Sequence, residues 1–243
     1  MRYLIKFSYD GTNFNGYQKQ PGHRCVESEL EKALFDINDH KKTKIVGAGR
    51  TDRGVHANCQ CAHFDLNIDI TLYKLKCALN SLLPEDIHVF DVESVDSEFH
   101  ARYMVKKKTY KYIINCGEYN PIERNYVYQY CKKLDVAAMK KEIKSFIGKH
   151  DFKSFVSEDA VKDDYVREIF DAYIEEENDK LIFYFIGTGF MKYQVRNMVG
   201  TLFKVGKGKL ELGIVDKIFK DETYKKYITT IKREGLYLEN IEY

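Results

Sequence analysis

The chain has no long hydrophobic run, no regular cysteine spacing and no tryptophan. Its apolar stretches all fall short of the roughly 20 residues that a membrane-spanning helix needs, so we expect nothing to span a bilayer. The six cysteines are scattered, and no charged-then-apolar leader or small-residue cleavage site is present. We therefore expect reduced thiols in a cytoplasmic protein.

A large excess of charge of one sign is also missing. With 39 Lys and Arg against 37 Asp and Glu, the net charge of +2 does not by itself indicate a nucleic-acid-binding protein. The basic residues are still numerous enough to be segregated onto one face. The 19 tyrosines and 15 phenylalanines are expected mostly in the core, with a few able to stack on bases. Composition therefore permits an RNA partner without arguing for one.

The first half of the chain changes repeatedly between strand and helix periodicity. Apolar residues alternate along residues 3–9, as in a strand, and recur at helical spacing along residues 26–37. The full set of predictions for this half is strands at 3–9, 44–46, 60–66 and 87–92, and helices at 26–37 and 72–82. The predicted order is therefore β-α-β-β-α-β.

The second half repeats this order more loosely. Its predicted strands are 110–114, 126–128, 166–174, 181–186 and 236–241, and its predicted helices are 136–146, 191–203 and 214–219. Two such units predict an α+β protein with two tandem ferredoxin-like, or RRM-like, βαββαβ subdomains and mainly antiparallel sheets. We place the boundary where three consecutive lysines interrupt the pattern, which gives subdomains at 1–105 and 106–243.

A glycine-rich loop, GAGRTDRGVHA, is predicted at residues 47–57. It lacks the Lys-Ser/Thr of a P-loop and no helix opens at its third glycine, so phosphate binding is disfavoured. The glycines instead allow the backbone to turn tightly between two strands, so that Asp52 is held at the edge of a sheet and faces a cleft. Arg50 and Arg53 flank Asp52, and a neighbouring arginine offsets the rise that burial causes in a carboxyl pKa. Such a carboxylate suits a nucleophile or a base. For the loop taken alone, a structural Asp-Arg turn on the surface is the more ordinary explanation.

The same loop resembles the catalytic motif of the tRNA pseudouridine synthase A family, and the resemblance continues along essentially the whole chain. Further segments in family order are YDGT at 9–12 with GYQ at 16–18, NSLLP at 80–84 with DI at 86–87, FHAR at 99–102, YKY at 110–112, DFKSF at 151–155, VRNMVG at 195–200 and GLYL at 235–238. One such motif would be weak evidence, whereas the complete series in register is highly specific.

The resemblance implies an isomerase that converts uridine to pseudouridine without cofactor or metal. It would break the N-glycosidic bond, rotate the uracil and rejoin it through C5. Asp52 would be the essential aspartate, acting on a flipped-out nucleotide. Whether it adds to the sugar, adds to the base or deprotonates the sugar as a glycal forms stays open. The resemblance also implies tRNA as the partner, uridines 38, 39 and 40 of the anticodon arm as targets, a homodimer, and a central RNA-binding active-site cleft flanked by the two subdomains.

Three more residues take substrate-binding roles by resemblance. Tyr110 would stack on the target base and Arg196 would pair with Asp52. Arg50 would occupy the space left by the flipped base or contact phosphates. The residues alone leave alternatives: Tyr110 and Tyr112 also fit one buried face of a strand, Arg196 fits a surface arginine despite its apolar neighbours, and Arg50 fits a salt bridge within its own loop.

Other basic residues are candidate RNA contacts. Arg53 stands where the family usually has alanine, so it could contact a phosphate or narrow the pocket. The remaining candidates are His56, Lys106, Lys107 and Lys108. A second departure, Tyr17 in place of the common tryptophan, exchanges one aromatic residue for another.

Two alternatives to this interpretation need weighing. Cys59, Cys61 and His63 would share one face of a strand, near His56, but no second Cys or His pair follows at the spacing of a closed zinc site, so we predict no metal. The main rival function is a non-catalytic RNA-binding protein built on RRM-like sheets. It lacks an RNP1-type signature and gives no reason for Asp52. A pseudouridine synthase that acts on other RNA sites also stays open.

Overall fold

The computed structural model describes residues 1–159 and 164–243. The chain forms two compact units, one made of residues 1–106 together with 238–243 and the other of residues 107–237. The sequence placed residues 238–243 with the second half of the chain, whereas here they group with the first unit. Each unit combines helices with a mainly antiparallel sheet, so the predicted α+β class is confirmed.

The first unit carries the predicted β-α-β-β-α-β order. Its elements are β1 (Arg2–Tyr9), α1 (Val26–Ile37), β2 (Val46–Gly47), β3 (His56–Asp65), α2 (Leu72–Leu82) and β4 (Ile87–Val95), followed by most of β10 (Leu236–Glu242). The strand order is β4-β1-β3-β10, and the two-residue strand β2 pairs with β3. The β1–β3, β1–β4 and β2–β3 pairs are all antiparallel.

Local sequence explains both helices of this unit. In α1, Val26, Leu30 and Leu34 recur on one side and are fully buried. Before α2, the Thr71 hydroxyl accepts a hydrogen bond from the Lys74 N–H at 3.3 Å, which satisfies one of the free donors of the first turn. The helix ends just before Pro84, which cannot continue it.

The second unit has a longer series of strands. Its elements are β5 (Lys107–Asn115), β6 (Tyr128–Gln129), α3 (Val136–Glu142), β7 (Gly148–Asp151), β8 (Val166–Glu177), β9 (Lys180–Gly187), α4 (Gln194–Gly206) and α5 (Ile214–Lys220), with short 3₁₀ segments at 143–146, 153–155 and 222–227. The sheet order is β5-β9-β8-β7, and β6 pairs parallel to β5. Most residues of α4 are buried, so this helix is the core helix of the unit.

No helix in the two described ranges is long and apolar enough to cross a membrane.

Two elements of the second unit differ from the sequence predictions. The helix expected at 191–203 begins three residues later, because Tyr193 adopts a left-handed conformation with φ of 64° and cannot be part of the helix. Strand β7 was not predicted. It begins at Gly148, whose φ of 110° requires glycine.

His63, on β3, gives the first unit a pH-dependent stability. Its Nδ1 accepts the Ala101 N–H at 3.0 Å. Burial, and then the positive charges of Arg2 and His100, lower the His63 pKa from 6.5 to about 4, while Asp65 opposes this shift. A histidine whose pKa falls on folding takes up more protons when unfolded, so its contribution to stability is present above pH 6.5 and is lost as the pH falls towards 4.

We expect the free energy of unfolding to decrease between pH 6.5 and 4 because of this residue. The full shift corresponds to about 3 kcal/mol, and solvent screening reduces the expected loss to about 1–2 kcal/mol. Urea denaturation at a series of pH values measures it. The His63→Asn variant, whose amide oxygen can still accept the Ala101 N–H, should lack this component. A variant with an unchanged pH profile would contradict the assignment.

Candidate active site

Residues 48–55 form the loop between β2 and β3. The Ala48 N–H donates to the Cys61 carbonyl at 2.8 Å, and the Gln60 side-chain amide donates to the Gly49 carbonyl at 3.2 Å. Both partners belong to β3, so the loop begins alongside that strand. This part of the loop is fixed by the sheet, and the strand pairing of Gly47 with Ala62 extends it.

The backbone around Asp52 is held by residues from the beginning of the chain. The Tyr17 N–H donates to the Thr51 carbonyl at 3.1 Å, and the Gly54 N–H donates to the Phe14 carbonyl at 3.2 Å. A further bond, from the Val55 N–H to the Asp52 carbonyl at 3.1 Å, closes a turn. The Asp52 side chain itself is half-buried. The carboxylate is therefore presented from a backbone that is anchored on both sides.

Two glycines allow this close approach. A Cβ atom on Gly11 would lie 1.9 Å from the Val55 carbonyl oxygen, and a Cβ on Gly16 would lie 2.9 Å from the Thr51 carbonyl oxygen. Gly16 also has a φ of 94°, a conformation that other residues rarely adopt. The YDGT and GYQ segments thus form the surface on which the Asp52 loop is packed. The sequence contained both segments but did not reveal this contact.

Thr51 was not singled out by the sequence, yet it is a buried anchor of the loop. Its hydroxyl lies 2.8 Å from the Tyr9 hydroxyl on β1. Burial raises the pKa of Tyr9, and its hydrogen bonds to Thr51 and Gln60 oppose that rise only in part. The phenol is therefore neutral at physiological pH and forms a neutral hydrogen bond.

Tyr17 has a hydroxyl that is buried without a hydrogen-bond partner among the described residues. Gly47 allows it this position, since a Cβ there would lie 2.4 Å from the Tyr17 hydroxyl oxygen. Burial raises the Tyr17 pKa well above 10. An unsatisfied buried hydroxyl destabilises the fold by about 1–3 kcal/mol.

Replacing Tyr17 with phenylalanine should therefore leave the free energy of unfolding unchanged or raise it by about 1 kcal/mol. Tyr112→Phe is the matched control. Its hydroxyl donates to the Lys232 carbonyl at 2.6 Å, so its loss should be destabilising by about 1 kcal/mol. Urea denaturation compares the two. Equal destabilisation by both substitutions would contradict this account of Tyr17.

The other predicted residues of the first unit differ in exposure. Arg50 and Arg53 are exposed on the same loop as Asp52, and Lys106 is exposed at the end of the unit. His56 is only 2% exposed, and its Nδ1 accepts the Gly11 N–H at 3.1 Å. His56 therefore has a structural part in fixing the glycine turn beneath the loop. Its predicted RNA contact stays a prediction.

Tyr110 lies on β5 in the second unit, opposite Phe185 of β9. It is 8% exposed, and its ring meets Phe190 edge-to-face with centroids 5.1 Å apart. Tyr112, two residues later, is fully buried. Both tyrosines thus lie on one largely buried face of the strand, which the residue pattern allowed for. Lys107 is exposed and Lys108 half-buried at the start of the same strand.

Arg196 lies in the first turn of α4 and is fixed by the segment around Ile231. Its Nε donates to the Ile231 carbonyl at 2.9 Å, and the Ile231 N–H donates to the Arg196 carbonyl at 3.3 Å. Its guanidinium carbon lies 4.9 Å from the centre of the Tyr193 ring. The neighbouring Lys232 carbonyl accepts the Tyr112 hydroxyl. Residues 231 and 232 therefore tie β5 to α4 within this unit.

A cavity of about 780 Å³ adjoins the start of α4 in the second unit. It is lined by Tyr193, Asn197 and residues from 154–159 and 222–230. Asn197 is fixed there, because its amide donates to the Phe155 carbonyl at 2.7 Å and accepts from the Thr230 hydroxyl at 2.6 Å. Tyr193 links the cavity wall to Arg196. The sequence did not single out Tyr193.

No set of three or more His, Cys, Asp or Glu side chains within residues 1–159 and 164–243 is arranged to hold a metal ion. Cys61 and His63 are buried on β3, and the His63 Nδ1 is used by the Ala101 N–H. These residues take part in packing of the first unit.

One family model and two curated relatives agree on the family that this chain matches. The family model described as tRNA pseudouridine synthase matches residues 5–104 and 143–243. A tRNA pseudouridine synthase A of Streptococcus mutans is 42% identical over 246 residues, covering all of this chain and 99% of the relative. A tRNA pseudouridine synthase A 1 of Bacillus cereus is 41% identical over 237 residues, covering 97% of this chain and 96% of the relative. Among solved structures, a chain of a Cbf5-Nop10-Gar1 complex matches 94% of this chain and 70% of its own length at 12% identity, with a TM-score of 0.33.

Proposed function

Because this chain belongs to the tRNA pseudouridine synthase family, we propose that it isomerises uridine to pseudouridine in tRNA, with Asp52 as the essential catalytic group. The observation that carries the proposal is the family match, which extends over segments of both units and includes Asp52 and Arg196. The resemblance noted in the sequence is confirmed by this match and by the full-length relatives.

The proposed reaction needs no oxidant or reductant, because uridine and pseudouridine are isomers. The bond from N1 of uracil to C1′ of ribose breaks, and a bond from C5 to C1′ forms. The proton on C5 leaves and N1 gains one. What the protein has to supply is a carboxylate beside the ribose and base, a means of holding the detached uracil, and exclusion of water.

The anchoring of the Asp52 loop supports its catalytic role. Hydrogen bonds fix the backbone at residues 51, 54 and 55, and two glycines pack against the loop. A reacting group held in this way needs little rearrangement when the substrate binds, which favours reaction. The half-buried position also reduces the screening of the carboxylate by water.

The fixed positions of Tyr110 and Arg196 support their proposed roles. Tyr110 is held by its edge-to-face contact with Phe190, as suits a ring that stacks on a base. The Arg196 bond to Ile231 uses only Nε, and the planar guanidinium suits a carboxylate or phosphate partner. We propose that this partner is Asp52.

The exposed cations support an RNA partner. Arg50 and Arg53 flank Asp52, and we propose that Arg50 occupies the space of the flipped base or contacts a phosphate, while Arg53 adds a phosphate contact. The three lysines at 106–108 would follow the RNA backbone.

Tritium release tests the function. The protein is mixed with tRNA transcripts carrying [5-³H]uridine, without added cofactor or metal, and released tritium is counted. We expect release, and we expect it to fall stepwise when uridines 38, 39 and 40 are replaced in the transcripts. Release that persists after all three replacements would show that the protein modifies uridines elsewhere in the RNA. No release from a full set of cognate tRNAs would overturn the proposal.

Three finer points stay predictions. The strand order β4-β1-β3, with β2 beside β3, supports a ferredoxin-like arrangement of the first unit. The homodimer is tested by sedimentation of the purified protein with and without tRNA. The cytoplasmic location is tested by cell fractionation.

A further inference from the structure

Five aromatic rings form a continuous row at the turn that follows β4. Consecutive ring centres lie 4.9 Å apart from Tyr243 to Phe99, 6.4 Å from Phe99 to His63, 4.9 Å from His63 to His100 and 4.2 Å from His100 to Tyr103. The row runs from half-buried Tyr243 past buried His63 to the surface, where Tyr103 is 80% exposed. The last pair is stacked, with planes 26° apart.

The turn that carries Tyr103 is firmly held. The His100 Nδ1 accepts the N–H groups of Arg102 and Tyr103 at 3.2 and 3.3 Å. Ala101 donates its N–H to the His63 Nδ1, and its carbonyl accepts the Tyr243 hydroxyl at 2.9 Å. The ring and the backbone of Tyr103 are therefore both fixed before any partner binds, which lowers the entropy that binding would lose.

An exposed tyrosine is not by itself a site, since single exposed apolar residues are common. Tyr73, on α2, illustrates the ordinary case: it is 77% exposed, and no ring contact holds it within the described part of the chain. Tyr103 differs because one of its faces lies against a supported histidine ring and the rest of the ring is open to solvent. Such an arrangement is a preformed stacking surface.

The charge around Tyr103 indicates the kind of partner. Residues 99–106 include two exposed cations, Arg102 and Lys106, and no acid. The acids that precede this segment, Asp96 and Glu98, interact with the positive charge of Arg2. Glu242 also adjoins it, since the Glu242 carbonyl accepts the Lys106 N–H at 2.8 Å. An exposed aromatic ring with cations close to it in the chain is a combination that binds unpaired nucleotides, with the base on the ring and the phosphates on the cations.

We propose that Tyr103 is a stacking platform for an unpaired base of the RNA substrate, with Arg102 and Lys106 as its phosphate contacts. This proposal rests on the proposed function for the identity of the RNA. The base concerned is not the target uridine. His63, beneath the platform, is seven residues along β3 from His56, which follows the Asp52 loop, and a strand advances about 3.3 Å per residue. Positions 56 and 63 are therefore roughly 20 Å apart along the strand.

Binding of an unlabelled tRNA transcript, measured by fluorescence anisotropy, tests the platform independently of catalysis. Tyr103→Ala should weaken binding by about 5- to 150-fold, the range that corresponds to loss of one stacked base. Tyr103→Phe should bind like the wild type because it keeps the ring. Tyr73→Ala, a matched loss of an exposed tyrosine in the same unit, should have no effect.

The salt dependence of tRNA binding distinguishes the stacking contact of Tyr103 from the phosphate contacts of its neighbouring cations. Arg102→Ala should reduce the slope of log Kd against log salt by about one, whereas Tyr103→Ala should leave this slope unchanged. In tritium release, Tyr103→Ala should raise KM and leave kcat near that of the wild type, because the stacked base is not the base that reacts. Thermal denaturation should show that all variants are folded, since the substituted side chains are exposed.

The isomerase function and the Tyr103 platform can be overturned independently of each other. Ring-dependent tRNA binding without tritium release would overturn the isomerase and keep the platform. If the wild type releases tritium and the tRNA affinity of Tyr103→Ala lies within twofold of the wild-type affinity, the platform is overturned and the isomerase is kept. A change in self-association on sedimentation, with tRNA affinity unchanged, would assign Tyr103 to a protein interface and overturn its RNA role. A wild-type protein that does not bind tRNA would overturn both.

Discussion

Replacing Asp52 with asparagine is expected to abolish tritium release from [5-³H]uridine-labelled tRNA. The substitution keeps the size of the side chain and removes its charge, so the anchored loop should be preserved. If the carboxylate adds to the substrate or removes its proton, the rate should fall by about 10⁴-fold or more, as when other essential catalytic groups are removed. The measurement is the initial rate at saturating tRNA.

Two controls make this result specific. Asp69→Asn makes the same chemical change at an exposed position of the first unit and should keep wild-type activity. Affinity of Asp52→Asn for tRNA should stay within a few-fold of the wild type, since its loss of a negative charge does not weaken phosphate contacts. If Asp52→Asn retained more than about a tenth of the wild-type rate, the carboxylate would not be an essential nucleophile or base, because loss of such a group lowers the rate far more.

Among the substitutions considered for stability, replacing Gly200 with alanine is expected to lower the free energy of unfolding most. In an ordinary helix this change is stabilising by about 1 kcal/mol, because alanine is the better helix former. Gly200 lies in α4, where an added Cβ would be 1.8 Å from the Thr229 carbonyl oxygen. The backbone has to move to accommodate it, and we expect the free energy of unfolding to fall by about 1–3 kcal/mol.

The same displacement should affect the candidate site. Thr229 lies two residues before Ile231. The Ile231 carbonyl accepts a hydrogen bond from Arg196, and the carbonyl of the next residue, Lys232, accepts one from Tyr112. We therefore expect kcat/KM to fall even at temperatures where Gly200→Ala is fully folded. Gly189→Ala is the control, since nothing lies within 4 Å of its added Cβ and its φ is not positive. Urea denaturation that gave the same midpoint for both variants would contradict the steric argument.

The sequence predicted best those features that depend on neighbours along the chain. Helices α1 and α2 were predicted with the bounds that the structure has, because their apolar spacing and the stop at Pro84 are local. The start of α4 was predicted three residues early, because the left-handed turn at Tyr193 interrupts a pattern that looks helical.

The candidate site was predictable as a set of residues but not as a packed arrangement. The glycine loop and Asp52 were evident from composition and resemblance. The contacts that fix the loop come from residues about 40 positions earlier, where Gly11 and Gly16 pack against its backbone. Likewise, the anchoring of Arg196 by Ile231 crosses 35 positions of the chain. Such contacts follow from tertiary packing and have no local periodicity.

Strand β10 has a consequence for how the protein is synthesised. Residues 238–243 belong to the first unit, where β10 is the neighbour of β3. On the ribosome, residues 1–106 emerge early, but their sheet lacks this strand until residues 238–243 have been translated. Through that interval the part of β3 that β2 does not cover has unpaired backbone groups on one edge, and such an edge can pair with another chain. A growing chain therefore carries an open strand edge that is closed only once β10 has been made.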